Sequence, residues 1–153
     1  MITFMFAMEE SASAKRPIDE TWISRIAAGD MDACLHLAKK LIRGRGEGRN
    51  FEEAVEWFDR AARSGSVDAL YWLGKCYLKG LGCTRDVSGG CSCLERAAQQ
   101  GHAAAALKLG ECFERGQGAP ASSELAAYWY RKAAARGEAR AFDKLLNLAR
   151  RRR

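Results

Sequence analysis

The chain is predicted to be an all-α solenoid of antiparallel helix pairs, with three full repeats and a half repeat at each end. Three observations carry this reading. Residue types recur every 36 positions without a gap: Leu37, Leu73, Leu109 and Leu145 share one phase, and Ala33, Ala69, Ala105 and Ala141 share another. Each period holds two stretches with apolar residues at helical spacing. Glycines separate the stretches at fixed points: Gly44, Gly80 and Gly116; Gly46, Gly82 and Gly118; Gly65, Gly101 and Gly137. A fixed period of this length marks stacked supersecondary units, each of which needs its neighbours to bury its apolar face.

The elements follow in chain order. Residues 1–16 lack periodicity and are expected to form a flexible N-terminal segment. The opening Met1-Ile2-Thr3-Phe4-Met5-Phe6-Ala7 is apolar, but it has no cationic flank and Glu9-Glu10 follow it, which argues against a secretory signal. Met8 is a candidate for the natural start. The solenoid is expected over residues 17–150. Residues 17–28 read as a lone helix of the second type, with Pro17 near its first turn. There Ile18, Trp22, Ile26 and Gly29 take the phases of Ala54, Phe58, Ala62 and Gly65.

In the first copy the second helix is clearest, with Phe51, Ala54, Val55, Phe58, Ala61 and Ala62 on one face and Gly65 at its end. In the second copy the first helix is clearest. Ala69, Leu70, Leu73, Gly74 and Tyr77 line one face, Asp68 sits in the first turn, where a negative charge suits the dipole, and Gly80-Leu81-Gly82 stops it. The second helix of that copy departs from the pattern. Phe51-Glu52-Glu53-Ala54-Val55-Glu56-Trp57 becomes Val87-Ser88-Gly89-Gly90-Cys91-Ser92-Cys93. Two glycines in a helix cost about 1 kcal/mol each relative to alanine, so this helix is predicted to start late or fray and to be the softest part of the array. The chain closes on a lone first-type helix from residue 139, with Phe142 and Leu145 expected to face inward. Residues 151–153 form a basic tail.

A chain of 153 residues fits one domain with a real core. Its net charge of +6 is concentrated in part in Arg150, Arg151, Arg152 and Arg153. Such a tail can touch nucleic acid, anionic lipid or an acidic protein, and it also reads simply as a solvated helix end favoured by the helix dipole. No stretch reaches the ~20 apolar residues of a membrane span. With no export signal, the six cysteines are expected to be reduced and the protein cytoplasmic.

At residue level the chain resembles the Sel-one-like repeat (SLR) family, a relative of the tetratricopeptide repeats. Ala69-x-x-x-Leu73-Gly74-x-x-Tyr77-x-x-Gly80-x-Gly82 fits the first half of that family's pattern in full. Ala126-x-x-Trp129-Tyr130-x-x-Ala133-Ala134-x-x-Gly137 fits the second half. The resemblance covers roughly residues 18–150. It implies a right-handed α-solenoid with a concave groove, and a scaffold, adaptor or regulator that binds proteins, often in bacteria. It carries over no catalytic residues. Some members staple each repeat through a C-x7-C bridge. At that phase this chain would pair Cys34 with Ile26, Leu70 with Ala62 and Ala106 with Ala98, so the disulfide-rich exported branch is disfavoured.

In the related tetratricopeptide architecture the first helices line the groove. Mapped here, the groove residues are Leu35, Lys39 and Arg43; Tyr71, Lys75 and Lys79; Leu107, Glu111 and Arg115; and Asp143 and Asn147. Leu35, Tyr71 and Leu107 would form an apolar ladder beside cationic rungs, which suits a protein or peptide partner with apolar anchors and acidic flanks. Trp72 is a further contact candidate, because its equivalents His36, Lys108 and Lys144 are polar. An alternative within this class is an immunity or chaperone-like protein for a cognate bacterial effector. Nucleic acid is the weaker use of the charge, since only Tyr71 offers a stacking ring in the groove.

Chemistry has less to stand on. Cys83, Cys91 and Cys93, with Cys76 one helix earlier, could supply four thiolates to zinc, and a thiol- or metal-dependent redox sensor or hydrolase is the alternative of another class. Their spacing matches no familiar zinc module, and Cys76 shares its phase with Cys112, as packing residues would. His36 and His102 read as exposed or capping residues. The chain has no G-x-S-x-G, phosphate loop or H-E-x-x-H motif, so no enzyme, cofactor or small-molecule substrate is expected.

Overall fold

The computed structural model describes residues 20–44 and 50–153. Among them are eight α-helices: α1 Glu20–Ala27, α2 Met31–Arg43, α3 Phe51–Arg63, α4 Val67–Lys79, α5 Val87–Gln99, α6 Ala103–Arg115, α7 Ser123–Ala135 and α8 Ala139–Arg151. Helices α2 and α3, α4 and α5, and α6 and α7 form three hairpins, and among the described residues α1 and α8 belong to no hairpin. Each helix packs chiefly against its neighbours in the chain, as a solenoid requires. The expected start at Pro17, the segment 1–16 with Met8, and Gly46 lie outside the described residues.

The caps keep the period. Asp30, Asn50, Ser66, Asp86, His102 and Ser122 each accept a hydrogen bond from the backbone N–H three residues on. Each such cap contributes about 1 kcal/mol. Gly82 shows why the turn between the two helices of a repeat needs glycine. Its φ is +70°, and a Cβ there would lie 2.2 Å from the backbone of Phe51, so both conformation and contact exclude a side chain.

The core repeats as well. Phe58, Leu94 and Tyr130 are phase-mates with no exposed surface, one per hairpin. Small residues make room for them: a Cβ on Gly74 would meet Leu94 at 2.9 Å, and one on Gly110 would meet the ring of Tyr130 at 2.5 Å.

Two expectations are corrected here. Helix α5 does not start late; it is 13 residues long, like its counterparts. Asp86 caps it through the Gly89 N–H at 2.9 Å, and Gly90 lies so close to α4 that a Cβ would sit 2.9 Å from the Gly74 carbonyl oxygen. Gly90, which weakens the isolated helix, thus allows the close crossing that holds it. Phe142 does not face inward; it is 60% exposed, and Leu146 is 53% exposed, because among the described residues no second helix packs on that side of α8. Ala141 and Leu148 are the buried residues of α8. The helix runs to Arg151, one residue into the expected tail. Among the described residues no helix is long and apolar enough to cross a membrane.

Candidate partner-binding face

The first helices of the hairpins, α2, α4 and α6, together with α8, carry a common stripe that side chains stitch together across repeats. Asp68, in the first turn of α4, is the node of its N-terminal half. Lys39 of α2 donates to one carboxylate oxygen at 3.1 Å, and His102 Nε2 lies 3.2 Å from the other. His102 Nδ1 accepts the Ala105 N–H at 3.1 Å, so in the neutral ring the proton sits on Nε2, the nitrogen that lies beside Asp68. His102 therefore caps α6 and bridges to α4.

An aromatic cluster adjoins this node. Tyr71 stacks on His102, with ring centroids 4.6 Å apart, and meets Trp72 edge-on at 5.6 Å. Trp72 stacks on Phe58 of the preceding hairpin at 5.9 Å, and Trp22 with His36 repeats that contact one period earlier, at 4.8 Å. The Lys75 ammonium lies over both rings, 4.2 Å from the centre of Trp72 and 5.3 Å from that of Tyr71. Burial, then the neighbouring charges of Lys79, Lys108 and Arg140, lower the pKa of Lys75. Burial raises that of the Tyr71 hydroxyl.

The C-terminal half is internally paired. Lys108 donates to Glu111 at 2.6 Å, Lys144 of α8 reaches Glu111 at 3.7 Å and Glu114 at 3.9 Å, and Arg151 reaches Glu114 at 2.9 Å. The buried Tyr130 hydroxyl donates to Glu114 at 2.6 Å. At Glu111 burial raises the pKa, but the hydrogen bond and charge of Lys108, then Lys144 and Arg115, outweigh it and leave the carboxyl below its usual range.

The residues expected in the groove are thus treated unequally. Tyr71 and Lys75 come together, with Trp72 beside them. Lys39 is held by Asp68, and Glu111 by two lysines. Leu107 is 3% exposed and belongs to the core, so no continuous apolar ladder from Leu35 to Leu107 reaches the surface. Leu35 is half-buried against the core. Arg43, Lys79 and Arg115 are exposed near the C-terminal ends of their helices, and Asp143 and Asn147 are exposed on α8. Asp68, His102, Lys108 and Lys144 join the face without having been expected there. Their signal was weak because the Asp68–His102 pair spans two repeats at no repeated spacing.

The cysteines have a different character. Cys34, Cys76 and Cys112 are buried, Cys83, Cys91 and Cys93 are half-buried, and all six are free. Burial pushes Cys76 up to about 11 and Cys112 up to about 12, and raises the other four. Such thiols stay protonated near neutral pH and are poor nucleophiles. Among the described residues no three His, Cys, Asp or Glu side chains group as a metal site.

The family model of the Sel1 repeat matches residues 32–66, 67–102 and 103–138, the three hairpins in turn. A Sel1 repeat protein from Oxalobacter formigenes is similar in structure, with a TM-score of 0.72 and 34% identity over 84% of this chain and 96% of that one. So is c5321, described as a protective antigen present in uropathogenic Escherichia coli strains displaying an SLR fold. Its TM-score is 0.76 at 27% identity, over 81% of this chain and 27% of that longer one. The Helicobacter pylori cysteine rich protein B shares the fold at 19% identity, with a TM-score of 0.64 over 82% of this chain and 90% of its own. No functionally curated protein matches the chain.

Proposed function

The chain belongs to the Sel1 repeat family, and from that premise we propose that it is a non-enzymatic adaptor or scaffold whose concave first-helix face holds an extended segment of a partner protein. Sel1 repeats are a protein-interaction fold, which supports the class of function. The face itself is supported by one observation above the rest: Tyr71, Trp72 and Lys75 form a half-buried aromatic and cationic cluster on α4, in the middle of the array. Aromatic side chains supply contact area at low entropy, and a cation beside them favours an acidic partner. The net charge of +6 points the same way. The raised thiol pKa values weigh against a cysteine-based sensor or hydrolase. A reducing compartment such as the cytoplasm, where thiols persist, is part of the same proposal.

Affinity capture from the native host tests the reading, with wild type beside the Tyr71→Ala/Lys75→Glu double variant. A protein held by wild type and lost by the variant, with helical circular dichroism unchanged, is the expected result. Equal capture by both would overturn the assignment to this face.

A further inference from the structure

Most cations of this face already have an acid. Lys39 is paired with Asp68, Lys108 and Lys144 with Glu111, Arg140 with Glu138, and Arg151 with Glu114. Arg43, Lys79 and Arg115 are exposed near helix ends, where water solvates them. Lys75 differs from all of these. It is half-buried against two rings, and among the described residues no carboxylate lies within ion-pairing distance. A half-buried ammonium in a field of like charge has lost hydration without gaining a counter-ion.

We propose that the acidic recognition of the partner is concentrated in one contact: a single Asp or Glu side chain, next to an apolar residue, seats on Lys75 while its neighbour packs on Tyr71 and Trp72. The inference rests on the groove reading and narrows it from acidic flanks to one obligatory acid. Charge complementarity selects the occupant, since the paired lysines of the face offer an anion little beyond what their own acids supply. The acid is a side chain within the segment and not a chain terminus, because the face continues past Lys75 in both directions, toward Lys39 on α2 and Lys108 on α6. The lowered pKa of Lys75, caused by burial and then by Lys79, Lys108 and Arg140, is what an unmet demand for an anion would produce.

The test is selection from a random dodecapeptide library displayed on phage, fused at its C-terminus so that no free carboxylate is presented. Wild type, Lys75→Arg, Lys75→Met and Arg96→Met are panned in parallel. Arg96→Met removes one positive charge from the exposed side of a second helix. Wild type, Lys75→Arg and Arg96→Met are expected to enrich peptides with one fixed acidic position beside an apolar one. Lys75→Met is expected to lose that acid and to bind the wild-type peptides roughly tenfold more weakly or worse, the scale of a charge-assisted hydrogen bond. Peptides enriched by wild type without a fixed acid, or an unchanged motif with Lys75→Met, would overturn this inference and leave the groove standing. No enrichment by wild type at all would overturn the groove reading, and this inference with it.

Discussion

At the scale of single residues, the glycines show how context reverses a propensity. From sequence, Gly90 is a weakness that alanine should repair by about 1 kcal/mol. In the fold its Cα faces the Gly74 carbonyl, and a Cβ would stand 2.9 Å from that backbone oxygen and 3.0 Å from Leu78. Overpacking of this kind costs about 1–3 kcal/mol. Gly90→Ala is therefore expected to lower stability by about 1 kcal/mol, and a urea titration with an unchanged slope would show it. The cysteines make a second test. Cys34, Cys76 and Cys112 are buried and all six thiols have raised pKa values. In the native protein at pH 7.5 these three should resist iodoacetamide for hours and react promptly in denaturant. Rapid native labelling of Cys76 or Cys112 would mean that the core opens there. The packing role of Cys76 was legible in its shared phase with Cys112. The Gly74–Gly90 approach was not, because nothing in the local sequence says which residue of another helix lies opposite.

At the scale of elements, helix existence was legible and helix ties were not. Glycine stops and 36-residue spacing place one helix at each of α2 to α8, although the glycines of α5 wrongly suggest a late start there. The ties between non-adjacent helices come from pairs such as Asp68 with His102 and Glu111 with Lys144, 34 and 33 residues apart, near the period but off it. Glu111 lets one tie be titrated. Its carboxyl is held below its usual value of 4.5 by Lys108 and Lys144 against the opposing effect of burial. A depressed carboxylate contributes stability above its unfolded-state pKa and loses it as pH falls through the folded value. Glu111→Gln should therefore be less stable than wild type by about 1 kcal/mol at pH 7, a modest figure because the pair is partly solvated. The gap should close as pH falls below about 4, where the wild-type carboxyl also becomes neutral. Thermal unfolding of both proteins from pH 7 to pH 3 measures it, and a constant gap would show that the ion pairs contribute nothing.

At the scale of the whole molecule, a solenoid has neighbours only along one axis, so stability is unevenly shared. Helix α1 has no fully buried residue among those described, whereas α4 and α6 each have several. Hydrogen exchange should find α1 amides opening at much lower free energy than those of α4 to α7, which should exchange together. Comparable protection of α1 and α4 would contradict this ranking. The same one-dimensional order explains what could be foreseen. The sequence by itself determined the period, the number of hairpins and the small–large alternation of the core, because each depends on spacing within a repeat or between copies of one phase. Only the tertiary structure decided which phase-mates differ: Leu107 buried where Tyr71 is half-exposed, Phe142 bare where Leu70 is covered, Lys75 against two rings with no carboxylate partner among the described residues where Lys39 is held by Asp68. These differences arise because equivalent residues meet non-equivalent neighbours, and a repeat pattern records the position of a side chain without recording what stands across from it.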